Sequence, residues 1–324
     1  MHSIKDLHDF FCDELKNFKL NNEPSELNAP IEYILAIGGK RVRPVLVLSA
    51  CEMFGGVLMG ALKPAMAIEV FHNFTLMHDD IMDEASIRRG KETVHKLYDV
   101  NTAILSGDVM LIYAYQLLEG LDGNLFKKIF RVFNKTAVKV CEGQRFDLNF
   151  ESRLDVNIEE YIKMIEYKTA VLLGCSLEVG AYLGGSNDTD AKNMYEFGRN
   201  LGIAFQIQDD ILDAFGDEAD FGKKIGGDII QNKKTFLLIK SFELAGKDER
   251  KQLDFWLGQN GTNNEEKISS VIGLYNKLGI NDEAERSKKV FMEKALSHLE
   301  QVKLEPERKK VLIEISDKLL NRNN

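Results

Sequence analysis

Two clusters of aspartates are the residues of this 324-residue sequence that are best suited to chemistry. Residues 79–83 read DDIMD and residues 209–213 read DDILD, so each cluster has carboxylates at positions i, i+1 and i+4. In a helix these positions span roughly 100° of the circumference, which gathers each set into one acidic patch. Like charges one turn apart repel each other, so such a patch needs solvent or cations. The six members are Asp79, Asp80, Asp83, Asp209, Asp210 and Asp213.

Bound cations are favoured over solvent for these patches. Each cluster closes an apolar run, FTLM or IAFQI, where the helix dipole makes negative charge less favourable still. A solvated acidic face would explain one such cluster, whereas two suggest cations between them. Carboxylate oxygens without nearby cysteine prefer hard ions, and Mg²⁺ completes its shell with water and substrate phosphates. The sequence therefore predicts Mg²⁺ and a polyphosphate ligand.

Basic residues suited to phosphate flank both clusters. They lie in GGKRVRP at 38–44, in RRG at 88–90 and in the loop FGKKIGGDIIQNKKT, and one histidine precedes the first cluster by seven residues. Because the net charge is -9, an anionic substrate must be met by such local cations or by metal, and nucleic acid is disfavoured as a partner. P-loop, GxSxG, HExxH and dinucleotide motifs are absent. The candidates are Lys40, Arg41, Arg43, His72, Arg88, Arg89, Lys223, Lys224 and Lys233.

Helices are the elements that must position these groups. Apolar residues recur at three- and four-residue steps, while strand-like alternation is hard to find and no interdomain linker is visible. The sequence thus predicts one all-α domain over 1–324. Four scattered cysteines indicate neither a disulfide framework nor a zinc site, and no apolar run could span a membrane or serve as a signal peptide, which predicts a cytoplasmic protein. The predicted helices are 4–18, 62–83, 99–118, 124–150, 157–183, 189–214, 265–278 and 282–321.

Taken in order, the motifs resemble those of the trans-isoprenyl diphosphate synthases of the polyprenyl synthetase family. One DDxxD is weakly specific, but two at this spacing together with GGKRVRP and RRG make chance agreement very unlikely. The resemblance implies a single large helical bundle around a central active-site cavity, as in isoprenoid synthases. The matching segments are GGKRVRP at 38–44, FHNFTLMHDDIMD with RRG at 71–90, GQRFD at 143–147, YKTA at 167–170, FQIQDDILD at 205–213 and GKKIGGDI with KKT at 222–235.

The resemblance also implies substrates and roles. The six aspartates, led by Asp79, Asp83 and Asp209, would bind Mg²⁺, about three ions per active site, on the diphosphate of an allylic substrate (dimethylallyl, geranyl or farnesyl). Isopentenyl diphosphate would be held by Lys40, Arg43, His72 and Arg89. Lys223 is preferred to Lys224 as a phosphate contact because it directly follows Gly222. The allylic partner would contact Arg88, Lys168, Thr169, Gln206, Lys223 and Lys233.

In the reaction implied by this family, metal and cationic side chains neutralise the departing diphosphate, so that the allylic carbon–oxygen bond ionises. Lys168, Thr169 and Gln206 are the catalytic candidates, and a helix kink at Lys168–Thr169 would present backbone carbonyls to the carbocation. Gln144 and Asp147 would either support the first metal site or pack helices. No protein general base is required if the released diphosphate takes the proton.

Product length is predicted from the side chains upstream of the first cluster. Phe74 and Thr75 occupy the fifth and fourth positions before Asp79, and Phe71 lies one turn deeper. In the family such residues form the floor of the pocket that holds the growing chain. Large side chains at these positions are typical of short-chain synthases. Phe74 would lie about 7.5 Å along the helix from Asp79. We expect geranylgeranyl diphosphate, with farnesyl diphosphate next, and we expect a homodimer through the apolar helices 99–118 and 124–150.

Three rival interpretations remain at this point. A class I terpene cyclase shares the all-α fold and one DDxxD, but its second metal motif mixes Asn, Ser or Thr with acids, whereas this chain repeats DDILD. A non-catalytic synthase subunit usually lacks one aspartate cluster. A purely structural helical protein would leave GGKRVRP and RRG unexplained.

Overall fold

Helices make up almost all regular structure in the computed structural model, which describes residues 1–20, 23–216, 225–259 and 264–320. One small antiparallel hairpin, β1 (Ile87–Arg88) and β2 (Lys91–Glu92), is the exception among these residues. The predicted all-α class is confirmed. The helices are α1 (Ile4–Lys16), α2 (Asn28–Ala36), α3 (Val42–Met53), α4 (Leu58–Met82), α5 (Val94–Leu97), α6 (Val100–Gln116), α7 (Gly123–Glu151), α8 (Ile158–Ile165), α9 (Val171–Leu183), α10 (Asp188–Phe215), α11 (Gly227–Ile230), α12 (Phe236–Leu244), α13 (Lys247–Gly258), α14 (Asn264–Lys277), α15 (Ile280–Gln301) and α16 (Pro306–Leu320).

Most predicted helices coincide with observed ones, with two kinds of departure. The helix predicted over 282–321 was wrong as a single element, because it is divided into α15 and α16. Proline lacks a backbone N–H and suits the first position of a helix, so Pro306 begins α16. The 3.6-residue pattern also did not reveal α2, α3, α12 and α13, nor the four-residue helices α5 and α11. Helix α3 is buried on nearly every side, so it has no polar face for a 3.6-residue pattern to reveal.

The chain divides into two compact units. The first consists of Met1–Lys135, Cys175–Tyr195 and Val302–Ile313. The second consists of Thr136–Gly174, Glu196–Gln301 and Glu314–Asn324. Several of these boundaries fall within helices, namely α7, α9, α10 and α16. A single domain over 1–324 stays a prediction.

Helix α4 forms the centre of the first unit. It is apolar on nearly all sides and packs against α3 and α6. Such a helix is stable only when protein surrounds it. Contacts along its whole length therefore fix its position. The helix ends at Met82, and its last turn carries the DDIMD cluster.

The core of the second unit gathers aromatic and aliphatic side chains from α8, α10, α12 and α14. Tyr161, Ile207, Phe236 and Tyr275 are among its buried members. The inward face of α10 continues with Ile211, so the interleaved aspartates of DDILD are held in register by that buried face.

None of the four cysteines forms a disulfide in the part of the chain that the structure describes, and Cys51 and Cys175 are buried. Among the described residues we find no helix with the length and apolar character that a membrane crossing requires.

Candidate active site

The first aspartate cluster lies at the end of α4. Asp79 is half-buried, Asp80 is only 2% exposed, and Asp83, the residue after the helix, is exposed. The Asp83 N–H donates to the Asp79 carbonyl at 2.8 Å, so the helical path continues through the cluster. The first and last aspartates therefore lie one turn apart, near the surface of the first unit.

The middle aspartate of this cluster has a protein partner. Arg88 Nε lies 2.9 and 2.8 Å from the two Asp80 carboxylate oxygens, and Arg88 Nη2 donates to Oδ1 at 2.7 Å. Arg88 belongs to the β1–β2 hairpin, whose turn residues Arg89 and Gly90 have φ of 51° and 74°, as a type I′ turn requires. The RRG motif thus places an arginine fork on the end of α4. Metal binding by Asp80 stays a prediction.

Arg43 and His72 form a second pair of predicted substrate contacts. Arg43 Nη1 donates to His72 Nε2 at 3.1 Å, so His72 is a neutral imidazole that accepts at this nitrogen. Burial and the Arg43 charge hold the pKa of His72 well below its usual 6.5. Burial also lowers the pKa of Arg43 to about 10. The buried Arg43 Nε–H has no hydrogen-bond acceptor among the described residues, so it needs one from a ligand or water.

Arg41, between Lys40 and Arg43 in the sequence, points into the protein instead. Its Nη1 donates to Glu69 at 2.5 Å and its Nη2 donates to the Leu35 carbonyl. Asn73 Nδ2 donates to the same Glu69 carboxylate at 3.1 Å. The side chains of Arg41, Glu69 and Asn73 are all buried. Sequence reasoning missed Glu69, although a lone acid within the apolar run MAIEVF signals a buried partner.

The Gly38–Gly39 pair accommodates another predicted contact, Arg89. Arg89 Nη1 donates to the Gly38 carbonyl, and a Cβ at residue 39 would lie 2.4 Å from Nη1. Gly39 also has a φ of 134°, a backbone conformation that residues with a side chain rarely adopt. The glycines of GGKRVRP thus make space for the arginine of RRG. Lys40 follows directly and is exposed.

The second aspartate cluster repeats the division seen in the first. Asp210 is buried and its Oδ2 accepts from the Tyr161 hydroxyl at 2.6 Å and from the Phe236 N–H at 2.8 Å. Burial raises the pKa of Asp210 to about 7, although the Tyr161 hydrogen bond opposes the shift. Asp209 is half-buried on the same helix. Nothing in the sequence around Tyr161 indicated this contact.

The last aspartate of this cluster reaches the predicted basic loop. Asp213 Oδ2 accepts from the Asp228 N–H at 3.0 Å. Lys233 is exposed, with its Nζ 3.6 Å from Asp228 Oδ1. The predicted phosphate contacts Lys223 and Lys224 lie outside the described residues.

The expected kink at Lys168–Thr169 is present as a π-helical turn, Glu166–Ala170, between α8 and α9. Lys168 Nζ donates to Asp147 Oδ2 at 2.6 Å, and Thr169 Oγ1 donates to Gln206 Oε1 at 3.4 Å. The structure therefore brings the three catalytic candidates and Asp147 together in the second unit. Single π-helical turns occur frequently at functional sites.

Gln144, also predicted from the GQRFD motif, is buried at 7% exposure. Neither its amide oxygen nor its amide nitrogen has a hydrogen-bond partner within the described parts of the chain. A buried amide left in this state costs roughly 1–3 kcal/mol, so it requires water or a ligand. Both predicted roles of Gln144, support of the first metal site and helix packing, stay predictions.

The residues predicted to set product length form an aromatic series in the first unit. Phe74 is 9% exposed, and its ring centroid lies 5.7 Å from that of Phe71 and 4.8 Å from that of His78. Phe71 is buried and its ring lies edge-on to that of Phe133 at 5.3 Å. Thr75 Oγ1 donates to the His72 carbonyl of its own helix at 2.8 Å. The two phenylalanines therefore make one packed aromatic wall.

The donor set suits Mg²⁺. No three His, Cys, Asp or Glu side chains converge as a complete ion cage in the portion of the chain that the structure describes. Mg²⁺ seldom uses such a cage, because it keeps waters and takes oxygens from substrate phosphates. Each cluster offers carboxylate oxygens one turn apart, and the buried Gln144 amide needs a polar partner such as water.

Comparison with known proteins decides the family. The family model described as Polyprenyl synthetase matches residues 24–275. The chain belongs to the polyprenyl synthetase family. Its relatives include the geranylgeranyl diphosphate synthase of Saccharolobus solfataricus, 44% identical over 264 residues, 80% of this chain and 79% of that protein. The geranylgeranyl pyrophosphate synthase of Geoglobus acetivorans is 37% identical over 99% of this chain and 98% of its own.

Solved structures agree with this assignment to the polyprenyl synthetase family. A crystal structure titled geranylgeranyl pyrophosphate synthase superposes with a TM-score of 0.95 at 45% identity and covers 100% of both chains. The resemblance inferred from the motifs is therefore confirmed. The protein is an isoprenyl diphosphate synthase, a chain-elongating prenyltransferase, as the sequence predicted.

Proposed function

We propose that this enzyme condenses isopentenyl diphosphate with dimethylallyl, geranyl and farnesyl diphosphates, head to tail and in the E configuration, and releases geranylgeranyl diphosphate. The observation that carries the proposal is the repeated division within the two aspartate clusters. In each cluster the middle aspartate is bonded within the protein, Asp80 to Arg88 and Asp210 to Tyr161. The flanking aspartates lie partly exposed one turn apart.

Isopentenyl diphosphate is the proposed ligand of the cations in the first unit. The buried Nε–H of Arg43 needs an acceptor that a phosphate oxygen would supply, and His72 orients Arg43 through its Nη1. Lys40 belongs to GGKRVRP, as Arg43 does, and the Arg89 charge helps to lower the pKa of Arg43 and of His72. Both cations would contact the same diphosphate. His72 is neutral, so the cations that meet the diphosphate would be Arg43, Lys40 and Arg89.

Ionisation of the allylic substrate is the proposed task of the second set of residues. Lys168, Lys233 and Arg88 would stabilise negative charge on the departing diphosphate, and Lys223 would join them. Thr169 and Gln206, with the carbonyls of the π-helical turn, supply dipoles to the carbocation without acting as nucleophiles. Proton loss from the condensed product goes to the released diphosphate.

Mg²⁺, about three ions per active site, is the proposed cofactor, and it neutralises the diphosphate when bound. Asp79 and Asp83 in the first cluster, and Asp209 with Asp213 in the second, are its proposed ligands. Asp80 and Asp210, which the sequence also predicted as ligands, hold their clusters in place through the bonds given above. Gln144 would accept a hydrogen bond from water at Oε1 and donate one to water from Nε2, which satisfies its buried amide.

Product length is proposed to be set by Phe74 and Phe71, with Thr75 beside them. Packing of Phe74 against Phe71 and of Phe71 against Phe133 makes this wall difficult to displace, as a floor for the growing chain must be. The relatives named for geranylgeranyl diphosphate support a stop at this length.

A homodimer in the cytoplasm is the proposed assembly and location. Helix α6 has large apolar side chains that remain exposed in the single chain. Exposed apolar patches commonly mark interfaces. The most exposed of them on this helix are Val100, Ile104, Leu105 and Ile112.

The proposal is tested by assaying purified enzyme with Mg²⁺, isopentenyl diphosphate and each allylic diphosphate, then separating the dephosphorylated products by chromatography. Geranylgeraniol should dominate with all three primers. Shorter or longer alcohols would overturn the assigned product. Hydrocarbons would indicate a terpene cyclase, and folded protein without turnover would indicate a non-catalytic subunit.

A further inference from the structure

Two glycines enclose the π-helical turn Glu166–Ala170 within the second unit. A Cβ at Gly143, on α7, would lie 2.2 Å from the Lys168 backbone nitrogen and 2.6 Å from Lys168 Cα. A Cβ at Gly202, on α10, would lie 2.6 Å from Ala170 Cα. These neighbours are backbone atoms, which cannot rotate away as a side chain can. Only a residue without a side chain fits at either position.

Each glycine is followed four residues later by a polar side chain that contacts the same turn. Asp147, one turn after Gly143, accepts from Lys168 Nζ at 2.6 Å. Gln206, one turn after Gly202, accepts from Thr169 Oγ1 at 3.4 Å. Residues four apart share a helix face, so α7 and α10 each present a close backbone approach and a polar partner side by side. The hydrogen bonds of Lys168 and Thr169 thus lie one helical turn from the two closest backbone approaches.

The first residue of the turn is held by an ion pair. Arg199 Nη1 lies 3.1 Å from Glu166 Oε2, and Arg199 Nε donates to Glu196 at 2.8 Å. Arg199 precedes Gly202 by three residues, so it lies on the same face of α10. The turn is thus held at its beginning by charge and further along by the two close backbone contacts.

We infer that Gly143, Gly202 and Arg199 are positioning residues for catalysis, and that they act by fixing the π-helical turn. The inference rests on the proposed roles of Lys168 and Thr169 in ionising the allylic substrate. An added methyl must push the turn away by about 1 Å to reach ordinary contact distance, and misplacement of this size can cost about 100-fold in rate. None of the three residues contacts substrate in this account.

The test compares Gly143→Ala and Gly202→Ala with Gly273→Ala. Gly273 is an exposed glycine of α14 whose Cβ would meet nothing within 4 Å. We expect kcat with geranyl diphosphate to fall about 100-fold in the first two variants while KM for isopentenyl diphosphate changes by less than about twofold. Gly273→Ala should keep the wild-type kcat. If the glycines only pack helices, melting temperature will fall in the two variants without this selective loss of kcat, and the inference is wrong.

Three further variants make the outcome decisive. Lys168→Ala tests the proposed function itself, because a wild-type kcat in this variant refutes the role of Lys168. If kcat is lost in Lys168→Ala but unchanged in the two glycine variants, only the inference is refuted. Arg199→Met adds no atoms at the close backbone contacts of Gly143 and Gly202. It can therefore test the inference if the two alanine variants do not fold. It should lower kcat, and Arg199→Lys should restore most of it because Lys retains the charge opposite Glu166. Equal kcat in Arg199→Met and wild type would contradict the inference.

Discussion

At the scale of residues, the middle aspartates of the two clusters are both buried but are stabilised in different ways. Asp80 meets a guanidinium, so its charge is paired. Asp210 meets a hydroxyl and a backbone N–H, which are neutral donors, and burial therefore raises its pKa to about 7. Two identical sequence patterns thus lie in different electrostatic environments, because their partners come from elsewhere in the chain.

The two aspartates of the first cluster should respond differently to substitution. Asp79→Asn removes a proposed metal ligand near the surface, so we expect turnover to fall about 100- to 1,000-fold with little change in melting temperature. Asp80→Asn weakens the bonds to Arg88 and should cost about 1.5–3 kcal/mol of unfolding free energy. Steady-state kinetics and urea unfolding of both variants provide the measurements. Near-normal turnover by Asp79→Asn would refute the metal assignment.

His72 makes stability depend on pH. Its pKa in the native protein is well below 6.5, so below that pH the unfolded chain binds a proton that the native state does not. The unfolding free energy contributed by His72 should fall as the pH drops below 6.5, by up to about 1.4 kcal/mol per pH unit. The raised pKa of Asp210 acts in the opposite direction, since the native state then binds the extra proton.

Urea unfolding at pH 7.5, 6.5 and 5.5 measures this dependence for His72. The comparison with His72→Gln isolates the histidine, because glutamine keeps an acceptor for Arg43 but does not titrate. We expect the wild type to lose more stability than His72→Gln between pH 6.5 and 5.5. Identical losses would contradict the prediction.

Phe74 should control product length. Phe74→Ala removes the ring that packs on Phe71 and His78, so the growing chain gains space and the products should lengthen by one or more five-carbon units. The aspartates are untouched, so turnover should be largely retained. Phe255→Ala, which removes an exposed ring of α13, is the control. An unchanged product distribution in both Phe74→Ala and Phe71→Ala would place the determinant on the facing helices.

At the scale of elements, the sequence predicted the features that depend on neighbouring residues. It did not predict the contacts that depend on residues far away in the chain. The long helices, both aspartate clusters and the irregular turn at Lys168–Thr169 were predicted, since each is encoded within a few helical turns. The bonds of Asp210 were not, because Tyr161 lies 49 residues away. Helix α3 was missed because full burial removes its polar face. The inward path of Arg41 depends on Glu69, 28 residues later.

The buried Arg41–Glu69 pair should be a strong stability determinant of the first unit. It connects the start of α3, the middle of α4 and, through the Leu35 carbonyl, the end of α2. Glu69→Gln leaves a buried guanidinium without its counter-charge and should cost about 3–5 kcal/mol. Calorimetric or urea unfolding measures the loss. The double variant Arg41→Met, Glu69→Met should regain much of it, and a further loss in the double variant would contradict this account.

At the scale of the whole molecule, the exposed face of α6 should determine assembly. Leu105 and Ile112, 56% and 55% exposed, lie seven residues apart on one face of the helix. The double variant Leu105→Glu, Ile112→Glu should give a monomeric mass by light scattering at micromolar concentration, because buried charges oppose an apolar interface. Val57→Glu, at a residue 74% exposed and outside this face, should remain dimeric. A monomeric wild type would refute the dimer.

The π-helical turn also limits which insertions and deletions this gene can tolerate. A π turn holds one residue more than an α-helical turn, so deleting one codon within 166–170 would let α8 and α9 join as a regular helix. The wider turn absorbs its additional residue, so the same deletion would leave α8 and α9 close to their present register. Tyr161 would still face Asp210, and the capping box of Asn157 and Glu160 would keep its place. Lys168 and Thr169 would lose the irregular turn that they now occupy. A single-codon deletion here would therefore spare the second aspartate cluster and disrupt the catalytic candidates.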